Sequence, residues 1–189
     1  MVAETIYTIG HSTRPVREFI DMLHAHGVKQ LVDVRTVPKS RHNPQFGQDE
    51  LRESLQAAGI AYRWAKDLGG LRHAAKDSVN TGWRNASFRG YADYMQTPEF
   101  AAAVDALVVE GRGDDLAIMC AEAVPWRCHR SLIGDALLVR GVRVLDIMAD
   151  DKATAHSLTS FAVVDGTKIV YPPPASSEPP MNPDKITRQ

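Results

Sequence analysis

The stretch LAIMCAEAVPWRCHRSLIGDALLVRGVRVLDI, residues 116–147, decides the fold class. Leu116 to Met119 is a short apolar run typical of a buried strand, and Val142 to Ile147 is another. Between them, Cys128 to Arg140 is predicted to be a helix that ends at Gly141, a residue type favoured at helix C-termini. A strand, a helix and a second strand in this order predict two parallel strands joined by a crossover helix.

The same alternation of strands and helices extends through the N-terminal half of the chain. Short apolar runs predict three further strands, and helix-like segments separate them, with Gly27 and Gly59 as C-terminal caps. The predicted strands are Ile6 to Ile9, Leu31 to Val34 and Ala61 to Trp64. The expected architecture is therefore α/β: a single-domain, doubly wound, mostly parallel sheet of about five strands with helices on both faces.

The chain is predicted to form one domain followed by a tail. Its 189 residues, 44% hydrophobic and 24% charged, suit one compact core, which we assign to residues 1–170. Residues 163–170 are expected to add an edge strand with a turn at Asp165-Gly166. Residues 171–189 are rich in proline and serine, which predicts a flexible tail.

Charge and composition exclude several classes of protein. The formal net charge of −1 argues against a whole surface built for nucleic acid or anionic membrane, so any anion site must be local. No stretch approaches the roughly 20 apolar residues of a membrane span, and the N-terminus lacks the pattern of a signal peptide. The two cysteines do not make a secreted disulfide scaffold, and a cytoplasmic protein is the expectation. The oligomeric state stays open.

Polar and reactive side chains follow the predicted strands, where loops meet at one edge of a parallel sheet. Four strand ends carry His11 and Ser12, Asp33 and Arg35, Gly69 and Gly70, and Cys120 and Glu122. Because ligands in open α/β sheets bind beyond the carboxyl ends of the strands, these residues are expected to share one pocket.

Four motifs also carry a family resemblance that spans most of residues 6–148. They are GHST (10–13), DVRTVPKS (33–40, ending at Ser40), LGG (68–70) and MCAE (119–122) with CHR (128–130). In this order they resemble the bacterial and archaeal "domain of unknown function 488" family. The resemblance implies an α/β fold and a shared pocket of Cys, His, Arg and Asp, without a settled reaction or substrate.

The leading hypothesis is an enzyme that binds a small, phosphate-like or nucleotide-like anion. A cysteine beside arginines at a helix N-terminus favours the thiolate, so Cys120 or Cys128 is the expected nucleophile or ligand. His11 is the candidate acid or base. The remaining catalytic candidates are Asp33 and Glu122, and the substrate-binding candidates are Ser12, Arg35, Ser40, Gly69, Gly70, Arg127, His129 and Arg130.

Other interpretations remain open at this point. Cys120 could simply be a buried core residue, and Asp33 with Arg35 could be a structural ion pair. Cysteine and histidine could bind a metal as a hydrolase or sensor, although the adjacent Cys-His pair is awkward for one ion. Residues 63–91 mix cations with Trp64, Trp83, Phe88 and Tyr91, which suits nucleic-acid binding without catalysis. No motif for an organic cofactor is present, so the cofactor is unknown.

Overall fold

A computed structural model describes residues 4–113 and 115–174 of the chain, and its centre is a six-stranded sheet. The strand order is β3-β2-β4-β1-β5-β6, in which β6 is antiparallel to β5 and the other pairs are parallel. This confirms the predicted doubly wound α/β class. The strands are β1 Thr5–Gly10, β2 Gln30–Asp33, β3 Ala61–Trp64, β4 Leu116–Cys120, β5 Arg143–Ala149 and β6 Lys152–Ala155.

Helices cover both faces of the sheet because each central strand is apolar on both sides. Along β4, Ala117 and Met119 pack in one core cluster with α1 and α2, whereas Ile118 packs in the other with α3, α4 and α5. The helices are α1 Val16–Ala25, α2 Gln48–Ala57, α3 Ala86–Tyr94, α4 Pro98–Glu110 and α5 Arg130–Leu138.

The expected start of the fifth helix at Cys128 was wrong by two residues. Residues Pro125–Arg127 form a single 3-10 turn, and Cys128 is extended, with φ −136° and ψ 145°. The α-helix therefore begins only at Arg130, after His129. This places Cys128 just before the helix, where its side chain can accept from the first amides.

Residues 163–170 form strand structure with a turn after Asp165, as predicted, but the expected edge position in the main sheet was wrong. Val163–Asp165 (β7) and Lys168–Val170 (β8) form a separate two-stranded antiparallel sheet. The edge of β5 is already occupied by β6, and Ile169 of β8 instead packs in the core cluster that contains α5. The hairpin is thus an additional cover on that helical layer.

The packed part of the chain extends at least to Tyr171. This side chain is fully buried, its hydroxyl donates to Asp135 Oδ2 at 2.9 Å, and its amide donates to Asn80 Oδ1 at 2.8 Å. Most of the predicted tail, residues 175–189, lies outside the described residues. Within the described residues, none of the helices is both long and apolar enough to cross a membrane.

Candidate cysteine-lined site

Two glycines let backbone segments approach closely at the carboxyl edge of the sheet. A Cβ atom at Gly10 would collide with the carbonyl oxygen of Glu122, and one at Gly70 would collide with the ring of His129. The loop after β4 therefore lies directly on the end of β1, and the LGG loop lies on His129. Larger residues at these positions would push the walls of the site apart.

A cavity of about 450 Å³ opens between these loops. Seven of the thirteen predicted site residues line it: Arg35, Gly70, Cys120, Glu122, Arg127, Cys128 and His129. The other six, His11, Ser12, Asp33, Ser40, Gly69 and Arg130, are not among its lining residues. Its volume is within the range of small-molecule sites, about 300–1,000 Å³.

The two cysteines meet in the wall of this cavity. Cys120 ends β4 and Cys128 precedes α5, and the structure joins them as a disulfide with their Cα atoms 7.5 Å apart. Both residues are almost fully buried, 2% exposed for Cys120 and 5% for Cys128. The sequence analysis treated them as alternative nucleophiles and did not predict that they pair.

Arg130 contacts both sulfur atoms. Its guanidinium Nη1 donates to Cys120 Sγ at 3.1 Å, and its backbone amide donates to Cys128 Sγ at 3.4 Å. The side chain is 1% exposed, and its other acceptors are the carbonyl oxygens of Ile9, Glu122 and Ala123.

The charge of Arg130 has no carboxylate in direct contact. None of the ion pairs among the described residues includes it, and its buried Nε has no hydrogen-bond partner. Burial lowers the pKa of Arg130 to about 10, while the more distant charges of Asp146 and Glu122 act in the opposite direction. Arg130 is therefore cationic at neutral pH, and Cys120 is the nearest group able to become its counterion.

His129 is a neutral neighbour of Cys128. Its Nε2 lies 2.9 Å from the carbonyl oxygen of Val34, so Nε2 carries the proton and donates. Its Nδ1 lies 3.6 Å from Cys128 Sγ. Burial lowers the pKa of His129 to about 4, assisted by the charge of Arg130. The ring can therefore accept a hydrogen bond from the thiol, but it does not hold a second proton at neutral pH.

Asp33 and Arg35 form a buried ion pair. Asp33 is fully buried, and Arg35 donates to it through Nε at 2.9 Å and Nη2 at 2.6 Å. Arg35 Nη1 also donates to the carbonyl oxygen of Phe46 and lies 3.4 Å from His11 Nε2. The Tyr62 hydroxyl donates to Asp33 Oδ2 at 2.7 Å and also hydrogen-bonds with Arg35. The pair fixes the loop that follows β2.

His11 lies behind Arg35 rather than in the cavity wall. Its Nδ1 is 2.8 Å from the carbonyl oxygen of Ser12, and its ring stacks on Phe46 at 4.2 Å between centroids. Burial, assisted by the charge of Arg35, lowers the pKa of His11 to about 4. The neutral ring thus donates through Nδ1 and accepts from Arg35 through Nε2, which orients the guanidinium.

The remaining predicted residues hold the surrounding loops. Ser12 has a φ of 51° and donates its amide to the carbonyl oxygen of Ala121 at 2.9 Å. Ser40 Oγ accepts from the amide of Asn43 and lines a neighbouring cavity of about 930 Å³. That cavity and the cysteine-lined one share residues Thr36, Val37 and Lys39, so the loop after β2 separates the two.

The aromatic residues of the 63–91 stretch pack mostly against protein. Tyr91 is fully buried, and Trp83 stacks on Phe88 at 4.8 Å and contacts Phe161 and Tyr171 edge-on or tilted. Phe88 alone of this group reaches the cysteine-lined cavity. These rings form core rather than a row of open stacking platforms for bases.

A buried network that the sequence analysis missed lies on the other side of α5. Asp135 accepts from His156 Nε2 at 2.9 Å, from the amide of Thr159 and from Tyr171. His156 Nδ1 lies 3.5 Å from Asp146 Oδ2. Burial lowers the pKa of His156, but its hydrogen bonds and the charges of Asp135 and Asp146 outweigh that effect and raise it to about 9. His156 is therefore cationic at neutral pH.

The shifted pKa values of His11, His129 and His156 predict that the free energy of unfolding is greatest near pH 6.5. His11 and His129, with pKa values of about 4, favour the folded state above pH 6.5, and this contribution is lost as the pH falls toward 4. His156, with a pKa of about 9, contributes below pH 6.5 and loses its contribution as the pH rises through 9. Each contribution is on the order of 3 kcal/mol.

Urea unfolding measured at several pH values checks this expectation. The free energy of unfolding should fall on both sides of its maximum, and His156→Gln should flatten the alkaline side while leaving the acid side unchanged. Stability that keeps rising above neutral pH in the unsubstituted protein would contradict the assignment of His156.

Metal ligation was one alternative for the cysteine and histidine residues. Over residues 4–113 and 115–174, no group of three or more His, Cys, Asp or Glu side chains is arranged to hold a metal ion. His11, a histidine considered for this role, has both ring nitrogens directed at Ser12 and Arg35.

The sheet and the cavity together define the class: a doubly wound α/β protein with a cysteine pair at the carboxyl edge of its central strand. The family model described as "Domain of unknown function DUF488" matches residues 15–137. The chain therefore belongs to this family, which confirms the resemblance carried by its motifs. Neither a curated protein nor a solved structure matches the chain.

Proposed function

We propose that this protein is an enzyme in which a cysteine thiolate attacks a small anionic substrate bound in the cavity. The single observation that carries the proposal is that Arg130 donates to both sulfur atoms, through its guanidinium to Cys120 and through its amide to Cys128. A buried cation without a carboxylate in contact stabilises a thiolate beside it. Core cysteines need no such neighbour.

Cys128 is the better placed nucleophile. It precedes α5, so its sulfur accepts from a helix N-terminal amide, an arrangement that stabilises negative charge. His129 Nδ1 is placed to accept a hydrogen bond from the thiol but does not take its proton at neutral pH. Cys120 lies deeper, at the end of the central strand β4, with Arg130 directly against it.

The charges around the cavity favour an anionic substrate. Lys39 and Arg127 are exposed at its rim, and the buried Arg35 lies in its wall. Glu122 is the sole carboxylate among the described residues that line the cavity, so cations predominate there. Glu122 is the candidate acid for the leaving group, and His11 acts as a positioning residue for Arg35.

Alkylation of the reduced protein tests this proposal. Iodoacetamide should modify Cys128 faster than free cysteine at neutral pH, as measured by peptide mass spectrometry. The alkylation rate should reach half its maximum at a pH below the pKa of free cysteine, which is about 8.5. Inorganic phosphate or pyrophosphate should slow the alkylation, because an anion bound by the rim cations blocks the approach of iodoacetamide to Cys128. Two inert thiols would overturn the proposal.

Paired variants make the protection experiment specific. Lys39→Gln and Arg127→Gln should weaken protection by the anions, whereas Arg112→Gln should not, because Arg112 lies on the distant 3-10 turn Gly111–Gly113. A separate experiment tests the alternative of a nucleic-acid-binding protein. If an oligonucleotide binds with strong salt dependence, and the double variant Cys120→Ser/Cys128→Ser binds it equally well, this alternative replaces the proposal of an enzyme.

A further inference from the structure

We propose that the chemistry of this site is thiol–disulfide exchange with an anionic disulfide, in which Cys128 attacks and Cys120 resolves. This inference rests on the proposed function, because it uses the same cavity and the same nucleophile. It adds the reaction type, the class of substrate and separate roles for the two cysteines.

The location of the disulfide supports an exchange reaction. The bond joins residues only eight positions apart and lies in the wall of an open cavity, where a substrate sulfur can reach it. A disulfide that only stabilised the fold would gain most by linking segments distant in the chain. The Cα separation of 7.5 Å is wider than the roughly 4.4–6.8 Å of most disulfides, so the backbone also suits two separate thiols.

The contacts of Arg130 favour a pair that cycles between two states. In the reduced protein, its guanidinium has the Cys120 thiolate as a counterion 3.1 Å away. In the disulfide, Cys120 is neutral and the buried cation has no anion in contact. Because a buried charge is costly without a partner, Arg130 stabilises the reduced pair and makes the disulfide readily reducible.

The two sulfurs differ in a way that assigns their roles. Cys128 Sγ accepts from a helix N-terminal amide, which stabilises its thiolate, so we assign it the first attack. Cys120 lies directly against Cys128 Sγ, so it is placed for the second attack. The Cys120 thiolate next to Arg130 attacks only after a mixed disulfide has formed on Cys128.

The reaction balances in two displacement steps. The Cys128 thiolate attacks one sulfur of the substrate R–S–S–R, the substrate bond breaks, and RS⁻ leaves as a mixed disulfide forms on Cys128. The Cys120 thiolate then attacks Cys128 Sγ, and the second RS⁻ leaves. Two electrons pass from the protein dithiol to the substrate, whose thiolates take protons from solvent. A separate thiol reductant returns the protein to its reduced state.

Three disulfides of matched shape test the substrate class. The reduced full-length protein should react with the dianion 3,3′-dithiodipropionate about tenfold faster than with neutral 2-hydroxyethyl disulfide, and slowest with the dication cystamine, each rate relative to free cysteine. Salt should reduce the advantage of the dianion. Equal relative rates for the three compounds would overturn the assignment of an anionic substrate.

Stoichiometry with the coloured disulfide 5,5′-dithiobis(2-nitrobenzoate) tests the resolving role. The reduced protein should release two thiolates and end as an unlabelled disulfide. Cys120→Ser should release one and keep the other group on Cys128, whereas Cys128→Ser should react slowly. If Cys128 of the unsubstituted protein is alkylated fast by iodoacetamide but keeps the nitrobenzoate group as a persistent mixed disulfide, exchange is refuted and the proposed function stands. If both thiols are unreactive, both proposals are refuted.

Discussion

Arg130→Met is expected to lower the free energy of unfolding by about 3 kcal/mol or more, and to slow alkylation of Cys120 at neutral pH. Methionine keeps much of the side-chain volume but removes the donors to three carbonyl oxygens, those of Ile9, which is buried, and of Glu122 and Ala123, which are partly buried. It also removes the charge beside Cys120. A charge-assisted hydrogen bond worth about 1.5–3 kcal/mol corresponds to a rate loss of roughly tenfold to hundredfold.

Urea unfolding and the alkylation rate measure the two effects separately. Arg127→Met is the matched control, because Arg127 is exposed and its loss should change the free energy of unfolding by no more than about 0.5 kcal/mol. Arg130→Lys keeps the positive charge with fewer donors, so it should recover thiol reactivity better than stability. If Arg130→Met alkylates as fast as the unsubstituted protein, Arg130 does not stabilise a thiolate.

Asp33→Asn is expected to destabilise the fold by about 3–5 kcal/mol, because it leaves the buried Arg35 guanidinium without its counterion. Asp33 is fully buried and accepts from Arg35 at 2.6 Å and from the Tyr62 hydroxyl at 2.7 Å. An amide can accept only through one oxygen, so part of this arrangement is lost even if the side chain keeps its position.

Thermal or urea unfolding of Asp33→Asn checks this value. Asp49→Asn is the control, since Asp49 pairs with Arg52 on the surface at 3.1 Å and its side chain is 88% exposed. That variant should lose less than about 1 kcal/mol. A loss at Asp33 as small as that at Asp49 would mean that the buried pair contributes little to holding the loop after β2.

Much of the fold follows from patterns in the sequence. Four of the five parallel strands lie in apolar runs, whereas β3 contains Arg63 and is marked by the aromatic residues Tyr62 and Trp64. The three predicted cap glycines, Gly27, Gly59 and Gly141, all have positive φ. The sixth strand, β6, was missed because Lys152–Ala155 is mostly exposed and has no apolar run. Its position is set by pairing with β5, a contact that local pattern does not encode.

The convergence of several candidate residues in one cavity was predictable from the sequence, but their individual contacts were not. Parallel strand ends converge, which is why Arg35, Cys120 and Cys128 reach one cavity. The sequence could not show that Arg130 turns inward to Cys120, since cations at a helix start usually face solvent. The Asp135 network joins residues 21 and 36 positions apart, beyond any local spacing rule.

The match to the family model ends at residue 137, before His156 and Tyr171, which both bond to Asp135. The carboxylate on α5 is therefore inside the shared region, and its three donors, His156, Tyr171 and the amide of Thr159, are outside it. In a homologue that lacked residues 152–171, this position would face water, and an acidic residue would gain nothing there. The residue at position 135 and the segment 152–171 are therefore expected to coevolve, so that each changes only when the other does.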